Sequence, residues 1–315
     1  MTNFASLTRT RIQLALRNKM FFFFSIVMPF CFFFLWLGVF GKGVPAYCAF
    51  YLGSVLAFNV MGSFWGLSAT LVMFREQGIL RRFHVAPVTA ADMLASSVVA
   101  NFALTLPTVI AELILARYVF HVATFANLPG IFILISLGTI SFSSLGLVIA
   151  SITNTMQETQ VLNQLIWLPL IFLSGATIPL AYLNANVQRV GLFLPATYLV
   201  NALQQTVVYS ASPASRYTEI ISLACWSLLT FFLSMQLFRW EPETKIPRRA
   251  KLYVAATAIP FLLLGIWENN THRILNEAKA AFESTLAAPR TSNTPSAKAI
   301  SGTRTDQARE RHSHF

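Results

Sequence analysis

Arg75-Glu76-Gln77-Gly78-Ile79-Leu80-Arg81-Arg82-Phe83-His84-Val85-Ala86-Pro87 lies between two long apolar runs, residues 47–74 and 93–120. A bilayer crossing takes about 20 apolar residues. Both runs exceed that, so the basic stretch is a turn between two membrane spans. Its three arginines place it on the cytoplasmic face, where short loops retain Lys and Arg. Arg75 to Gly78 opens a short helix with Ile79, Leu80 and Phe83 as its apolar side. Pro87, which has no N–H to donate, ends it. A helix of this kind either rests on lipid or docks into a partner, and spacing alone does not choose between the two.

Composition agrees with a polytopic membrane protein that is all-α. Of 315 residues, 55% are hydrophobic and 11% charged, whereas soluble domains carry about 25% charged residues. The net charge of +11 does not indicate nucleic acid, because the basic residues sit at the ends of apolar runs and in the tail, as topology signals do. Cys31, Cys48 and Cys225 show no paired spacing, which argues against a disulfide framework or a metal site. The first apolar run is too long for a signal-peptide core and lacks a small-residue cleavage site.

Outward from the basic turn, the chain divides as follows. Residues 1–19 carry Arg9, Arg11, Arg17 and Lys19 with no acid, and Phe4, Leu7, Arg11, Ile12 and Leu14 give an amphipathic helix on the inner surface. A six-span unit covers 20–238, with spans over 20–40, 47–74, 93–120, 128–152, 161–182 and 218–238 and the basic loop over 75–92. The fifth apolar run breaks at Ser174-Gly175-Ala176-Thr177-Ile178-Pro179. Non-helical backbone at membrane depth must be covered by protein or line a wet cavity, so 174–210 reads as short helices dipping into the outer leaflet. Inner segments hold Arg9, Arg11, Arg17, Lys19, Arg75, Arg81, Arg82, Arg239, Lys245, Arg248, Arg249 and Lys251. Outer segments hold only Lys42, Arg117, Arg189 and Arg216, which places both ends of the unit in the cytoplasm of a cell with this inner (plasma) membrane. After the basic linker 239–251, the apolar piece 252–267 is slightly shorter than the usual minimum of about 17 residues for a span. The basic segment before it favours a seventh crossing. In 268–315, Ile274, Leu275, Ala278, Ala281, Phe282 and Leu286 recur at helical spacing, and 289–315 has the composition of a disordered end.

Little of the chain looks catalytic. There is no phosphate-cradling G-x-x-x-x-G-K-[ST] loop and no H-E-x-x-H zinc helix. Gly66-Leu67-Ser68-Ala69 superficially resembles an intramembrane serine-protease site, but a nucleophilic serine needs a base, and His84, His121, His272, His312 and His314 all fall in loops or the tail. Ser68 is a packing residue on this reading. Glu112 is the one acid deep in an apolar run. It either lines a substrate path, as intramembrane ionisable groups often do, or reaches the outer interface. Asn59 and Asn101 share that choice between path lining and interhelical hydrogen bonding, with Asn163 and Gln164 on the hydrogen-bonding side.

Two motifs carry a resemblance. The 75–87 stretch resembles the Arg-Glu-x-Gly-Thr-Leu-x-Arg-x-x-x-x-Pro loop of the type-2 permease family of ATP-binding-cassette (ABC) exporters, nearest the drug-export branch. Phe172-Leu173-Ser174-Gly175-Ala176-Thr177-Ile178-Pro179, followed by Leu194-Pro195-Ala196-Thr197-Tyr198, resembles that family's Leu-Ser-Gly-x-x-x-Pro and Asn-Pro-x-Thr-Tyr elements. Ile79 stands where the family has Thr, and Leu194 where it has Asn. The resemblance covers about residues 1–240, and 252–315 has no counterpart in that core.

The resemblance implies that the loop is a coupling helix, with Arg75, Glu76, Gln77, Gly78, Arg81, Arg82 and Phe83 docking on a separate P-loop ATPase subunit. It implies that Ser174, Gly175, Pro179, Pro195 and Tyr198 belong to outer re-entrant helices capping the exit. Two permease copies, identical or paired with a second permease, would work with two ATPase copies in membrane lipid. ATP and Mg would reside in the partner and no cofactor in this chain. The implied function is outward movement of a hydrophobic or amphiphilic, drug-like compound. Export of a cell-envelope lipid or lipid-linked glycan on the same fold is a second reading. A non-transport scaffold working through the C-terminal tail is a third.

Overall fold

The computed structural model of the chain describes residues 2–17, 19–80, 89–122, 125, 127–209, 211–238 and 250–287. Arg81, Arg82, Phe83, most of the basic linker 239–251 and the end expected to be disordered lie outside the described residues. The described residues are mostly helical, with no strand among them. The helices are α1 (Thr2–Arg17), α2 (Lys19–Leu35, continued by a π-turn Trp36–Phe40), α3 (Pro45–Glu76), α4 (Ala90–Tyr118), α5 (Leu128–Ile152), α6 (Met156–Leu173), α7 (Ala185–Gly191), α8 (Pro195–Tyr209), α9 (Tyr217–Leu237), α10 (Ala250–Thr271) and α11 (Arg273–Ala287). Single 3₁₀ turns occupy Leu180–Tyr182 and Pro213–Arg216. Among the described residues, four segments are long and apolar enough to cross a membrane: Pro45–Glu76, Ala90–Tyr118, Leu128–Ile152 and Ala214–Leu237.

Local chemistry sets the helix ends, and it shifts three expected boundaries. The helix expected from 93 starts at Ala90, because Thr89 and Asp92 form a capping box: the Asp92 N–H donates to Thr89 Oγ1 (3.1 Å) and the Thr89 N–H to Asp92 Oδ2 (3.4 Å). The helix expected over 161–182 is α6, Met156–Leu173. It starts early because Thr155 Oγ1 accepts from the Glu158 N–H (3.2 Å). It stops at Ser174 because Gly175 adopts φ +89°, a left-handed conformation open to glycine. The apolar piece 252–267 is the middle of the longer α10.

α3 is the central post, touching α4, α5, α6, α8 and α11. Small residues allow the approach. A Cβ on Gly146 of α5 would lie 2.5 Å from the Phe64 carbonyl oxygen, and one on Gly53 would lie 2.7 Å from the Gln204 Cα of α8. The main core contains Phe33, Leu56, Met61, Phe64, Phe142, Leu199 and Leu203. Leu71, Val72, Phe74, Leu80, Met93, Leu94 and Leu147 fill the end of the bundle where the basic loop begins. Leu180, Leu192, Tyr198, Ile274, Leu275 and Ala278 fill the opposite end. Outward-facing positions such as Ile114, Phe132, Leu165, Leu228 and Leu263 stay exposed, giving the bundle an apolar exterior.

Candidate functional site

At the loop end, α3 hands over to the basic stretch through Gln77 and Gly78. Gly78 has φ +68°, and its N–H donates to the Arg75 carbonyl at 3.0 Å. This left-handed residue turns the chain sharply after 32 helical residues. Gln77 is exposed, Gly78 and Ile79 are half-buried, and Leu80 is buried in the loop-end cluster. The beginning of the loop is therefore anchored to the bundle.

Arg75 and Glu76 both act within the chain. Arg75 is buried, and its Nη1 donates to the carbonyl oxygens of Ala150 (2.8 Å) and Thr153 (2.9 Å) at the C-terminal end of α5. A guanidinium there satisfies carbonyls that the helix leaves open and complements the negative end of its dipole. Glu76 Oε1 accepts from the Met156 N–H (2.9 Å), the first residue of α6, which puts a carboxylate at a helix N-terminus. Two adjacent side chains thus tie the end of α3 to the end of α5 and the start of α6.

At the opposite end lie the residues expected to cap the exit. Ser174 is buried and its Oγ accepts from the Ala176 N–H (3.3 Å). Pro179 precedes the 3₁₀ turn, and Pro195 opens α8. Tyr198 is buried, its hydroxyl donating to the Leu192 carbonyl (3.0 Å), while Thr197 Oγ1 donates to the Gly191 carbonyl (2.6 Å). Together they hold α7 and α8 as a folded cap.

Asn59, Asn101 and Glu112 each make side-chain hydrogen bonds within the bundle. Glu112 is fully buried, and its Oε2 accepts from Asn59 Nδ2 (3.3 Å). Its Oε1 meets no partner among the described residues. Arg117 turns away, donating to the Val122 carbonyl (3.2 Å). Asn101 Nδ2 bridges Ser143 Oγ (2.8 Å) and the Ser63 carbonyl (3.3 Å). Ser68 Oγ and Asn163 Oδ1 pair at 3.1 Å, joining α3 to α6, which makes Ser68 a packing serine. Gln164 is exposed.

One cluster escaped the sequence reading. Arg273 Nη1 lies 3.0 Å from Glu219 Oε1 and Arg273 Nη2 lies 2.8 Å from Glu268 Oε1, both carboxylates being fully buried. Arg216 Nη1 lies 2.6 Å from Glu277 Oε2, and Asn201 Nδ2 donates to that same oxygen (3.1 Å). Burial works against the Arg273 charge, but Glu219, Glu268 and Glu277 outweigh it and hold its pKa above the ordinary arginine value. The network bolts α10 and α11 to α8 and α9. Its members lie up to 76 residues apart, beyond any spacing rule. The available signal was that Glu219, Glu268, Arg273 and Glu277 are charges flanking apolar segments.

The sequence of the chain is similar to those of known transport proteins. Residues 2–208, α1 through nearly all of α8, match the ABC-2 type transporter family. The chain belongs to that family. It is 25% identical over 237 residues to a putative transport permease, YvfS, of Bacillus subtilis strain 168, covering 71% of this chain and 92% of the relative. It is 21% identical over 172 residues to the inner membrane transport permease YhhJ of Escherichia coli K12, covering 54% of this chain and 46% of that one. It is 27% identical over 106 residues to nodulation protein J of Rhizobium meliloti strain 1021, covering 33% and 40%. An ABC-2 protein is the multi-pass membrane subunit of an ABC transporter and is not itself the ATPase. The family implies an ATP-binding partner.

Proposed function

We propose that this ABC-2 chain is the permease of an exporter for hydrophobic or amphiphilic, drug-like compounds, driven by a separate P-loop ATPase docked on the 75–87 segment. The observation that carries the reading is the Arg75–Glu76 brace. A segment so fastened passes a push to α3, α5 and α6 together, and through α3 to Asn59 and its buried partner Glu112. ATP and Mg bind in the partner, and nucleotide-driven movement of the loop re-packs the helices in an alternating-access cycle. Loop charge fixes docking register more than raw affinity, a role that suits Arg81 and Arg82 once Arg75 and Glu76 are occupied within the chain.

The arginine-rich loop and α1 face the cytoplasm, and the α7–α8 cap faces outward. On this orientation α10 crosses the membrane antiparallel to α9. Trp226 packs against Phe261 (4.4 Å between centroids), and Arg273 beyond α10 reaches Glu219 at the start of α9. Two copies pair in the inner membrane. α6 supports this arrangement by presenting Val161, Leu165, Leu168 and Phe172 on its exposed face.

Exchanging Arg81→Glu together with Arg82→Glu tests the loop without touching the Arg75–Glu76 brace or the Gly78 turn. The double variant is expected to reach the membrane in normal amount and to lose export of a lipophilic dye from cells. Export at the wild-type rate would overturn the coupling assignment.

A further inference from the structure

α1 carries its cations in two ways. Arg9 and Arg17 are exposed, as on any helix resting at a membrane surface. Arg11 is more than nine-tenths buried. Its guanidinium carbon sits 5.6 Å from the centre of the Phe74 ring, and Nη2 lies 3.1 Å from Met93 Sδ. A thioether is a weak acceptor, and a guanidinium has five N–H donors. No carboxylate among the described residues pairs with it. Burial lowers its pKa to about 10, so it stays charged at neutral pH. An unpaired buried charge is costly, and this one lines an open space.

That space is a cavity of about 70 Å³ between α1, α3 and α4. A single water needs roughly 10–15 Å³ on this measure, so the cavity has room for a phosphate group. Thr70, Ser97 and Asn101 give it a small polar wall, and Leu14, Leu67 and Leu104 an apolar one. Thr70 and Ser97 already donate their hydroxyl protons to the Gly66 (2.7 Å) and Met93 (2.6 Å) carbonyls. Arg11 is thus the charged donor left for a ligand. Phe74 and Met93 place it at the end of the bundle where the basic loop begins, level with lipid headgroups if that end meets the cytoplasmic leaflet.

We propose that this cavity binds the phosphate of an anionic phospholipid resident in the inner leaflet, with Arg11 as the phosphate-binding group. A planar guanidinium suits phosphate, to which it donates two parallel N–H bonds. The acyl chains leave past Leu14, which is half-exposed at the rim. The bound lipid neutralises Arg11 and seals α1 onto α3 and α4. The site lies apart from the exit cap, and the proposal depends on the membrane orientation, not on the identity of any cargo.

The test is native mass spectrometry of the full-length chain in mild detergent, titrated with dioleoylphosphatidylglycerol or dioleoylphosphatidylcholine. The wild type should bind the first lipid about tenfold more tightly, a difference of about 1.4 kcal/mol. Arg11→Gln should remove that preference, Arg11→Lys keep part of it, and Arg9→Gln keep it whole. Thr70→Leu fills the cavity without touching the charge and should also remove the preference, so it carries the test if Arg11→Gln does not fold. Equal binding of the two lipids by the wild type overturns the proposal. So does an equal loss in the Arg9 and Arg11 variants, which would mean diffuse surface attraction, and so does retention in Thr70→Leu.

Discussion

Arg75 shows how far a charge in a loop can be read. Its sequence position says which membrane face it meets, but not whether the side chain points outward or back. It points back, to Ala150 and Thr153, because a helix end close by leaves carbonyls open. Arg75→Met should therefore lower the detergent melting temperature by several degrees, consistent with losing hydrogen bonds to a charged group worth about 1.5–3 kcal/mol. Glu76→Gln, which keeps one acceptor for the Met156 N–H, should cost about 1 kcal/mol or less. Equal melting of wild type and Arg75→Met would remove the brace from the account. Gly175 is a different case, since its motif position was legible and its φ of +89° explains the motif. Ala there would strain the backbone and meet the Leu180 side chain. A clear loss of stability is expected for Gly175→Ala, visible as reduced yield of folded protein after detergent extraction.

Among the elements, the apolar runs made α3, α4, α5 and α9 legible, because twenty or more apolar residues admit few alternatives. Helix ends were less legible where polar side chains capped them, as at Thr89 and Thr155. The C-terminal segment was the least legible. Its periodicity was plain, but its partners lie across the whole chain: Phe50 packs on Phe282 (5.7 Å) and Tyr209 donates to the Ala280 carbonyl (3.1 Å). α11 is thus part of the cap formed with α7 and α8. Truncation after residue 267 should destabilise the protein strongly, exposing Tyr198 and Leu180 and leaving Glu219 buried without Arg273. Truncation after Ala287 should leave melting unchanged. Arg273→Met alone should cost about 3–5 kcal/mol, as breaking one partner of a buried pair does. Thermal scanning of these variants would separate a bolted cap from a dispensable tail, and a stable 1–267 fragment would refute the cap.

At the scale of the whole molecule, the chain is a bundle hung on α3. One end is braced by Arg75 and Glu76, and the other is closed by α7, α8 and α11. Membership of the ABC-2 family gives it a membrane transport role, and the brace explains how force at the loop would reach three helices. The central claim is that an ATPase supplies this force at the 75–87 segment. Affinity purification of the full chain from its own cells in mild detergent, with bound proteins identified by mass spectrometry, tests it most directly. The account predicts a soluble P-loop ATPase in about equal amount, lost from an Arg81→Glu/Arg82→Glu variant whose melting temperature is unchanged. A folded chain that brings down no such ATPase, or a charge-reversed loop that still holds it fully, would contradict the account.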